Sequence, residues 1–335
     1  MRPRISVAFV LLLASTAVFL SGCGQSSQTP STTAAEQSSR PPLQRIYTDV
    51  AFFSPNLGLI SGWEGTILKS TDMGSSWKPV RTSQTADLNS VAFINGRTAV
   101  AVGSAGNIIR STDGGSSWKP VKSPTGITLN KVAWSGGESA VAVGWSGTVI
   151  RTTNGGLTWT ELNVPTDPHD VLNDISFSDN FGLIVATSGH VYKSTDGGAS
   201  WTMIAVPGSK HLFTVAAIDP NTALVAGEGG TIMKTYNGGK DWMMESNTIE
   251  ASDTKDDILS MRAMNNLSLV AVTWSGSVLR SADGGTNWTV ISSVSGRSLR
   301  SISFPTLTDV IAVGDGQTII DSNNAGYSWK KISGN

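Results

Sequence analysis

The chain has 335 residues, of which 39% are hydrophobic and 15% are charged, and it includes 36 glycines. Its 24 basic and 25 acidic residues nearly cancel to a formal net charge of −1, whereas a nucleic-acid-binding surface needs clustered positive charge. The single cysteine, Cys23, excludes an internal disulfide.

The chain opens with the organisation of a bacterial lipoprotein signal peptide, which we assign to residues 1–22. Arg2 and Arg4 precede an apolar stretch, and residues 20–23 (Leu-Ser-Gly-Cys) have the form of a lipobox. Such a segment is cleaved during export and is not kept as a spanning helix. We therefore predict that Cys23 is the lipid attachment site. The protein is then extracytoplasmic, and the lipid is its sole attachment to a bacterial membrane. The alternative is an ordinary signal peptide with an incidental cysteine.

Residues 23–42 are rich in Ser, Thr, Gln and Pro and contain almost no large apolar side chain. A segment of this composition cannot bury enough surface to fold, so we predict a flexible tether. Residues 43–335 are left for the folded domain. Removing residues 1–22 leaves 22 basic and 25 acidic residues, a formal charge of −3, which again gives no support for nucleic-acid binding.

Seven copies of the pattern S/T-x-D/N-x-G-x-x-W recur along the folded domain. They occupy residues 70–77, 111–118, 152–159, 194–201, 235–242, 281–288 and 322–329. Their closing tryptophans lie 41 to 46 residues apart. A period of this length with strand-like content is typical of a β-propeller with one blade per repeat. The sequence therefore predicts an all-β fold, a seven-bladed β-propeller.

This motif is known as the Asp box, and its residues indicate a tight turn. The third position can accept hydrogen bonds from backbone N–H groups two residues on, which favours a structural role over a catalytic one. The third positions are Asp72, Asp113, Asn154, Asp196, Asn237, Asp283 and Asn324. The second glycine is present in every copy, which predicts φ > 0 there. Met73 and Ala325 replace the first glycine, which predicts ordinary dihedral angles at that position.

Short β-rich runs between glycine-containing turns predict four antiparallel strands, A to D, in each blade. The predicted blades are 46–80, 88–121, 129–162, 172–205, 212–245, 258–291 and 298–332. The Asp boxes are then the C–D turns at one end of the propeller, and the B–C turns lie at the other. Blade one has its own A strand and blade seven its own D strand, so no strand exchange is visible.

The B–C turns differ from blade to blade, and variable loops are where binding residues concentrate. Three of them carry tryptophans, Trp63, Trp145 and Trp274. Exposed large apolar side chains often mark binding surfaces, so these three are candidate partner-binding residues. The alternative is that each indole folds over its own blade.

Strand A contains one departure from the repeat, Arg262. Its fifth position is otherwise small, as Ala51, Ala92, Ala133, Ser176, Ala216 and Ser303. A guanidinium there needs partners or a water-filled channel, so Arg262 is either a structural ion-pair member or a fourth candidate partner-binding residue. Basic residues also close strand C in six blades, which favours a solvated or interblade structural role. They are Lys69, Arg110, Arg151, Lys193, Lys234 and Arg280, with Asp321 in the seventh.

Two connections are acidic. Residues 163–171 hold Asp167, His169 and Asp170, and residues 246–257 hold an acidic cluster. Histidine with carboxylates can bind metal, but we favour solvated acidic loops. We predict no metal and no cofactor.

No catalytic constellation can be assembled from the sequence. Asp boxes also occur in sialidases, whose site has an arginine trio with a Tyr/Glu pair, but this chain has four tyrosines in all. Xyloglucanase-type glycosidases place their carboxylates between two such propellers, and this chain has one. Three histidines are scattered, His169, His190 and His211. We therefore predict that the protein is not an enzyme.

The whole repeat, L-x-x-V/I-x-F…V-A-V-G-x-x-G-x-I-x-R/K-S/T-x-D-G-G-x-x-W, resembles the photosystem II stability/assembly factor family over residues 42–332. In that family the propeller binds early intermediates of the reaction-centre D1 protein. The resemblance implies a monomeric propeller that docks a membrane protein or an assembly intermediate. The alternatives are a cell-surface carbohydrate-binding module that uses the exposed tryptophans, or a sialidase-like glycosidase.

Overall fold

The computed structural model describes residues 46–208, 210–245, 256–293 and 296–332. The signal peptide, Cys23 and the tether predicted before residue 43 lie outside these ranges. Within them, no helix is both long enough and apolar enough to cross a membrane.

Seven four-stranded antiparallel sheets follow one another along the described chain, each with its strands in sequence order. Blade one consists of β1 (Tyr47–Ser54), β2 (Leu57–Gly62), β3 (Ile67–Ser70) and β4 (Lys78–Val80), and blade two of β5 (Leu88–Phe93), β6 (Ala99–Gly103), β7 (Ile108–Ser111) and β8 (Lys119–Val121). Blade three consists of β9 (Leu129–Gly136), β10 (Ser139–Gly144), β11 (Val149–Thr152) and β12 (Thr160–Glu161), and blade four of β13 (Leu172–Ser178), β14 (Phe181–Ala186), β15 (Val191–Ser194) and β16 (Thr202–Ile204). Blade five consists of β17 (Leu212–Ala217), β18 (Ala223–Gly227), β19 (Ile232–Thr235) and β20 (Met243–Met244). Blade six consists of β21 (Ile258–Ala263), β22 (Leu269–Thr273), β23 (Ser277–Ser281) and β24 (Thr289–Ser293), and blade seven of β25 (Leu299–Ser303), β26 (Val310–Gly314), β27 (Thr318–Ser322) and β28 (Lys330–Lys331). Single 3₁₀ turns occupy Ser104–Gly106, Trp145–Gly147 and Glu228–Gly230. The predicted seven-bladed all-β architecture is confirmed.

The core lies between the blades. Strand B of each blade is a short apolar run that is buried on both faces; β6, for example, reads AVAVG and is buried at every residue. Each of the seven hydrophobic clusters joins two neighbouring blades. One of them packs Tyr47 and Val50 of blade one against Ile311 and Val313 of blade seven, and so closes the ring. Blade one and blade seven each keep their own four strands, with a bridge between Ile46 and Asp315 as the only strand-like pairing between them in the described ranges.

Side chains near the channel bond neighbouring blades to each other in most of the ring. In five seams, the third residue of strand A accepts a hydrogen bond from the N–H of the fourth residue of the following blade. These bonds are Val91 N to Asp49 Oδ2 (3.1 Å), Val132 N to Ser90 Oγ (3.2 Å), Val215 N to Asp174 Oδ2 (3.1 Å), Met261 N to Thr214 Oγ1 (3.0 Å) and Val50 N to Ser301 Oγ (3.4 Å). We call this set the inner belt. Because strand A is the inner edge of its sheet, these N–H groups face the axis and have no partner within their own blade.

The basic residues that close strand C form a second contact between blades, here called the outer clasp. In four seams the side chain donates to a carbonyl of the next Asp box: Arg110 Nε to Gly155 O (2.5 Å), Lys193 Nζ to Gly238 O (2.7 Å), Lys234 Nζ to Gly284 O (2.6 Å) and Arg280 Nε to Ala325 O (3.0 Å). Lys69 donates instead to Ser116 Oγ (2.8 Å) in the next Asp box. Of the two roles predicted for these residues, solvated or interblade, the structure shows the interblade role for five of the six.

The Asp boxes are the C–D turns, as predicted, and their side chains bond within the turn. In every copy the residue at the third position accepts the N–H of the seventh, four residues on and not two. Asp113 Oδ1 accepts Ser117 N at 2.9 Å, and Ser111 Oγ accepts Gly115 N at 2.8 Å. The tryptophan of the box then packs in the core; Trp118 is 8% exposed.

The prediction for the first glycine of the box is wrong. Met73 and Ala325, which replace it, have φ of 59° and 57°, in the left-handed region like the glycines of the other copies. The backbone is held there by bonds to the neighbouring A–B turn, Met73 N to Pro55 O (2.9 Å) and Ala325 N to Thr308 O (2.7 Å). Each bond offsets a conformational cost of about 1–2 kcal/mol for a residue with a Cβ. The second glycine has φ > 0 in every copy, as predicted.

The outer clasp is missing where the ring closes. Asp321 occupies its position in blade seven and pairs with Ile311 across strands β26 and β27. Ile311 lies against Gly74 in the Asp box of blade one, since a Cβ on Gly74 would be 2.7 Å from Ile311 Cδ1. Asp321 Oδ2 is 3.3 Å from the exposed Lys330 Nζ, but its Oδ1 is buried without a hydrogen-bond partner among the described residues. This seam therefore carries an anion where the others carry a cation.

We expect Asp113→Ala to lower the free energy of unfolding by about 1 kcal/mol, because it removes the acceptor of three turn bonds. Asp113→Asn is the matched control, since Asn154 keeps the equivalent bond to Thr158 N at 3.0 Å. Urea titration followed by tryptophan fluorescence measures both. Equal stability of the Ala variant and the wild type would contradict the structural role of the box.

The stability lost in the Asp113→Ala variant should depend on pH. Burial raises the pKa of Asp113, but hydrogen bonds from Ser117 and Ser111 outweigh it and lower the pKa from 3.8 to about 2. A carboxyl group whose pKa is lower in the folded state stabilises the fold above its unfolded pKa and loses this contribution as the pH falls through its folded pKa. The stability difference between wild type and Asp113→Ala should be constant above about pH 5 and shrink towards pH 2. A difference that grows on acidification would contradict the assignment.

We expect Asp321→Lys to raise the free energy of unfolding by about 1 kcal/mol, since it supplies the absent clasp to the carbonyl of residue 73 and removes a buried unpaired oxygen. The lost contact to Lys330 is a surface pair and contributes little. Asp321→Asn is the control, because it removes the charge without supplying a cation. A Lys variant no more stable than the Asn variant would show that the clasp does not stabilise this seam.

Candidate functional site

The two ends of the propeller differ in what they present. Every A strand runs from the end that holds the B–C turns and D–A connections, the B–C face, to the end that holds the A–B turns and Asp boxes, the Asp-box face. The Asp-box face repeats the same turn in all seven blades. The B–C face and the channel therefore hold the side chains that distinguish one blade from another.

The B–C turns share one backbone anchor. In each, the N–H of the first turn residue donates to a carbonyl in the preceding D–A connection or at its end: Trp63 to Ile46 (3.1 Å), Ser104 to Asp87 (3.0 Å), Trp145 to Thr128 (3.0 Å), Thr187 to Val171 (3.0 Å), Glu228 to His211 (2.9 Å), Trp274 to Asp257 (3.0 Å) and Asp315 to Ser298 (2.9 Å). The backbone at this residue is fixed, whereas its side chain is free to vary. This is why one turn position carries Trp, Ser, Thr, Glu or Asp.

The three predicted tryptophans stand on this anchored position of non-adjacent blades. Trp145 and Trp274 are each 46% exposed, and Trp63 is partly buried. Trp274 does not fold over its own blade alone, because its ring centroid lies 5.8 Å from Arg300 Cζ of blade seven. Arg300 Nε also pairs with Asp315 Oδ1 at 2.5 Å. Trp274, Arg300 and Asp315 thus form a mixed cluster across blades six and seven. Sequence reasoning missed it because Arg300 lies on strand A and Asp315 on the B–C turn of blade seven, while Trp274 comes from another blade.

The interpretation of residues 163–171 as a solvated acidic loop is wrong for Asp170. Its side chain is 1% exposed and accepts hydrogen bonds from Ser188 Oγ and from Tyr192 Oη (2.5 Å), and His190 Nδ1 lies 3.0 Å away. Burial and the Asp170 carboxylate raise the pKa of Tyr192. Asp167 and His169 are exposed, as predicted. The loop is pinned to the next blade, and its carbonyl at Asp170 accepts Gly147 N (2.9 Å) from the turn that bears Trp145.

Residues 246–255 of the second acidic connection lie outside the described ranges. Asp256 and Asp257 accept hydrogen bonds from Ser275 N (3.1 Å) and Gly229 N (2.8 Å), so both hold turns of the B–C face. In the described part of the chain, no three His, Cys, Asp or Glu side chains are grouped to hold a metal ion.

Arg262 lies in the channel and forms an ion pair. Its Nη1 is 3.0 Å from Asp174 Oδ2, on a strand two blades away. Burial alone would lower the pKa of Arg262, but the charge and hydrogen bonds of Asp174 raise it above its usual value. A second pair repeats the arrangement: Lys131 Nζ is 2.7 Å from Asp49 Oδ1, again two blades apart. Burial alone would raise the pKa of Asp49, and Lys131 together with serine hydroxyls lowers it below its usual value.

An aromatic wall lies next to these pairs. The sixth residue counted from the start of strand A is aromatic in five blades: Phe52, Phe93, Trp134, Phe177 and, directly after β25, Phe304. With the third to fifth positions, these residues line a cavity of about 570 Å³ in the half of the channel nearer the Asp-box face. The repeat L-x-x-V/I-x-F includes this aromatic position, but sequence reasoning did not assign it to the lining of the channel. The sequence contains this pattern: in the alignment of the A strands in which Arg262 differs at the fifth position, the sixth position is aromatic in five blades.

The fold and these sites define a seven-bladed Asp-box propeller with anchored aromatic turns on one face. The Photosynthesis system II assembly factor YCF48 family matches residues 30–128 and 116–276 of the sequence. The chain therefore belongs to the YCF48 family.

Solved structures agree with this assignment at the level of the fold. "YCF48 bound to D1 peptide" superposes with a TM-score of 0.69 at 20% identity, over 84% of this chain and 94% of that one. YCF48 from Cyanidioschyzon merolae superposes with a TM-score of 0.69 at 22% identity, over 85% of this chain and 97% of that one. The GH74 xyloglucanase from Xanthomonas campestris gives 0.70 at 14% identity, over 89% of this chain and 56% of that one. No curated protein matches by sequence.

We expect Arg262→Ala to lower the free energy of unfolding by about 3 kcal/mol, because it leaves the buried Asp174 without its cation. Alanine fits the position sterically, since Ala51, Ala92 and Ala133 occupy it in other blades. The double variant Arg262→Ala, Asp174→Ser, which restores the residues common at these positions, should recover most of the loss. Urea titration measures all three chains, and an Arg262→Ala variant as stable as the wild type would contradict a structural ion pair.

Proposed function

We propose that this protein is a non-enzymatic, lipid-anchored propeller that docks a segment of a membrane protein or assembly intermediate on its B–C face. Membership of the YCF48 family supports this function, as does the D1 peptide bound to a solved relative. The observation that carries the choice of face is the pair of half-exposed tryptophans, Trp145 and Trp274, on anchored turns.

Anchored tryptophans suit protein docking for a physical reason. Tryptophan is among the residues that contribute most to binding at interfaces, because it buries a large area and still offers an N–H donor. A turn whose backbone is already fixed loses little conformational entropy on binding. Arg300 beside Trp274 adds a planar cation, and arginine is likewise enriched at interface centres. The B–C face therefore combines rigid aromatic anchors with charged neighbours.

The predicted anchor would bring this face towards the membrane. Ile46, the first described residue, lies on the B–C face, because β1 begins there and its carbonyl accepts Trp63 N. The predicted tether from Cys23 joins the propeller at this point, and a flexible chain of that length spans about 25 Å. Lipid on Cys23 would hold the docking face close to the bilayer on the extracytoplasmic side, where a segment of a membrane protein is within reach.

We expect the double variant Trp145→Ala, Trp274→Ala to lose partner capture by at least about tenfold per tryptophan removed from the interface. The measurement is affinity capture from the organism's own membranes with tagged full-length protein, quantified by mass spectrometry for each enriched membrane protein. The control is Leu307→Ala, because Leu307 is 68% exposed and lies in an A–B turn on the Asp-box face, outside the channel cavity. Soluble glycans should not compete.

Two outcomes of that capture would count against the proposal. Equal capture by the double variant and the control would show that docking uses another face. Capture that soluble glycans abolish together with the tryptophans would favour the carbohydrate-binding alternative.

We expect Cys23→Ser to release the protein from the membrane, because the thiol is the predicted acyl acceptor. Fractionation followed by immunoblotting measures the distribution, and metabolic labelling with a clickable fatty acid measures lipidation. An unchanged membrane fraction with undiminished lipid label would show that the anchor lies elsewhere.

A further inference from the structure

The channel cavity is separate from the proposed docking face and has a floor and a rim of different chemistry. Its floor is formed by the two ion pairs at the third and fifth positions of strand A. Its rim is formed by the aromatic residues one or two steps further along. Phe53 and Trp134 on the rim are 53% and 47% exposed, and Trp134 Nε1 donates to Gly137 O at 3.1 Å.

The cations of the floor are more exposed than the carboxylates with which they pair. The Lys131 and Arg262 side chains are 16% and 24% exposed, whereas those of Asp49 and Asp174 are 3% and 6% exposed. Lys131, Arg262 and Asp49 line the cavity, whereas Asp174 does not. A molecule that enters from the Asp-box face therefore meets the positive ends of both pairs.

The acceptors of the floor are already occupied. Asp49 accepts Ser90 Oγ (2.6 Å), Val91 N (3.1 Å), Lys131 Nζ (2.7 Å) and Ser301 Oγ (2.6 Å), which uses the four lone-pair directions of a carboxylate. Asp174 accepts Ile175 N (3.0 Å), Thr214 Oγ1 (2.9 Å), Val215 N (3.1 Å) and Arg262 Nη1 (3.0 Å).

The donors of the floor are not exhausted. Lys131 Nζ has three N–H bonds, and Asp49 accepts one of them in the described part of the chain. Arg262 donates through its terminal nitrogens, and its Nε–H has no partner among the described residues. The unused hydrogen-bonding capacity of the floor is thus entirely donating and carried by cations.

We propose that the channel cavity is a binding site for a carboxylate attached to an apolar or aromatic group. The carboxylate accepts hydrogen bonds from Lys131 and Arg262, and the apolar group packs against Phe53, Trp134 and their aromatic neighbours. Charge-assisted bonds of this kind are stronger than neutral ones. A cavity of about 570 Å³ lies within the usual size range of small-molecule sites. The same chemistry occurs in a free aryl carboxylate and at the carboxyl terminus of a peptide.

The test uses detergent-solubilised full-length protein and two pairs of probes, measured by isothermal titration calorimetry and ligand-observed NMR. The first pair is 3-phenylpropanoate and its neutral amide. The second pair is acetyl-glycyl-phenylalanine with a free carboxylate and the same dipeptide amidated. In at least one pair, we expect the acid to bind at least about tenfold more tightly than the amide.

Variants assign the binding to the cavity. Trp134→Ala replaces a half-exposed rim residue, so it should fold, and we expect it to weaken binding of the acid by about tenfold. Lys131→Gln removes one cation and should reduce the preference for acid over amide. Trp145→Ala, on the B–C face, is the matched control and should bind as the wild type does.

The outcomes separate the sources and the alternatives. Binding of both acids indicates a site that takes free carboxylates as well as peptide ends, and binding of the dipeptide acid alone indicates a chain terminus. Absence of binding of either acid up to about 10 mM would overturn the proposal, since even small well-fitted ligands exceed that affinity. Equal binding of acids and amides, or undiminished binding by Trp134→Ala, would also overturn it.

Discussion

The propeller depends on the backbone N–H groups of strand A that face the channel. Each A strand is the inner edge of its sheet, so one of its two hydrogen-bonding edges faces the channel, and the N–H of its fourth residue lies on that edge. A buried N–H without a partner is costly, and in five seams the third side chain of the preceding blade accepts it. This requirement bonds five pairs of neighbouring blades and explains why Asp, Ser and Thr recur at the third position.

The charges in the channel follow from the same constraint. Asp49 and Asp174 are members of the inner belt, and a buried carboxylate needs a cation as well as N–H donors. Lys131 and Arg262 supply these cations from two blades away. In the seam between blades three and four the third residue is Lys131, whose side chain offers no acceptor. Ile175 N therefore donates to the side chain of the residue before it, Asp174, at 3.0 Å. Because the belt and the hydrophobic seams hold the ring, the turns on the B–C face are free to differ from blade to blade.

The sequence was sufficient for the fold and only partly sufficient for the sites. The spacing of the tryptophans and the second glycine of the box report local turn geometry, so they predicted the blades and their order. The dihedral angles at the first-glycine position were predicted wrongly, because the positive φ of Met73 is held by a hydrogen bond to Pro55, which lies outside the motif. The hydrogen bonds of buried Asp170 come from residues 18 and 22 positions later, on a B–C turn and on strand β15, and Lys131 contacts Asp49 across 82 positions. Contacts of this range leave no local pattern in a single sequence.

The central claim is that the ring is a fixed scaffold whose B–C face receives the partner. Hydrogen–deuterium exchange of the full-length protein, with and without the captured partner, tests it most directly. We expect slow exchange along the A strands in both states, and new protection confined to the B–C turns, above all residues 144–147 and 273–276. New protection in the Asp-box turns, such as residues 111–118, with the B–C turns unchanged, would contradict it.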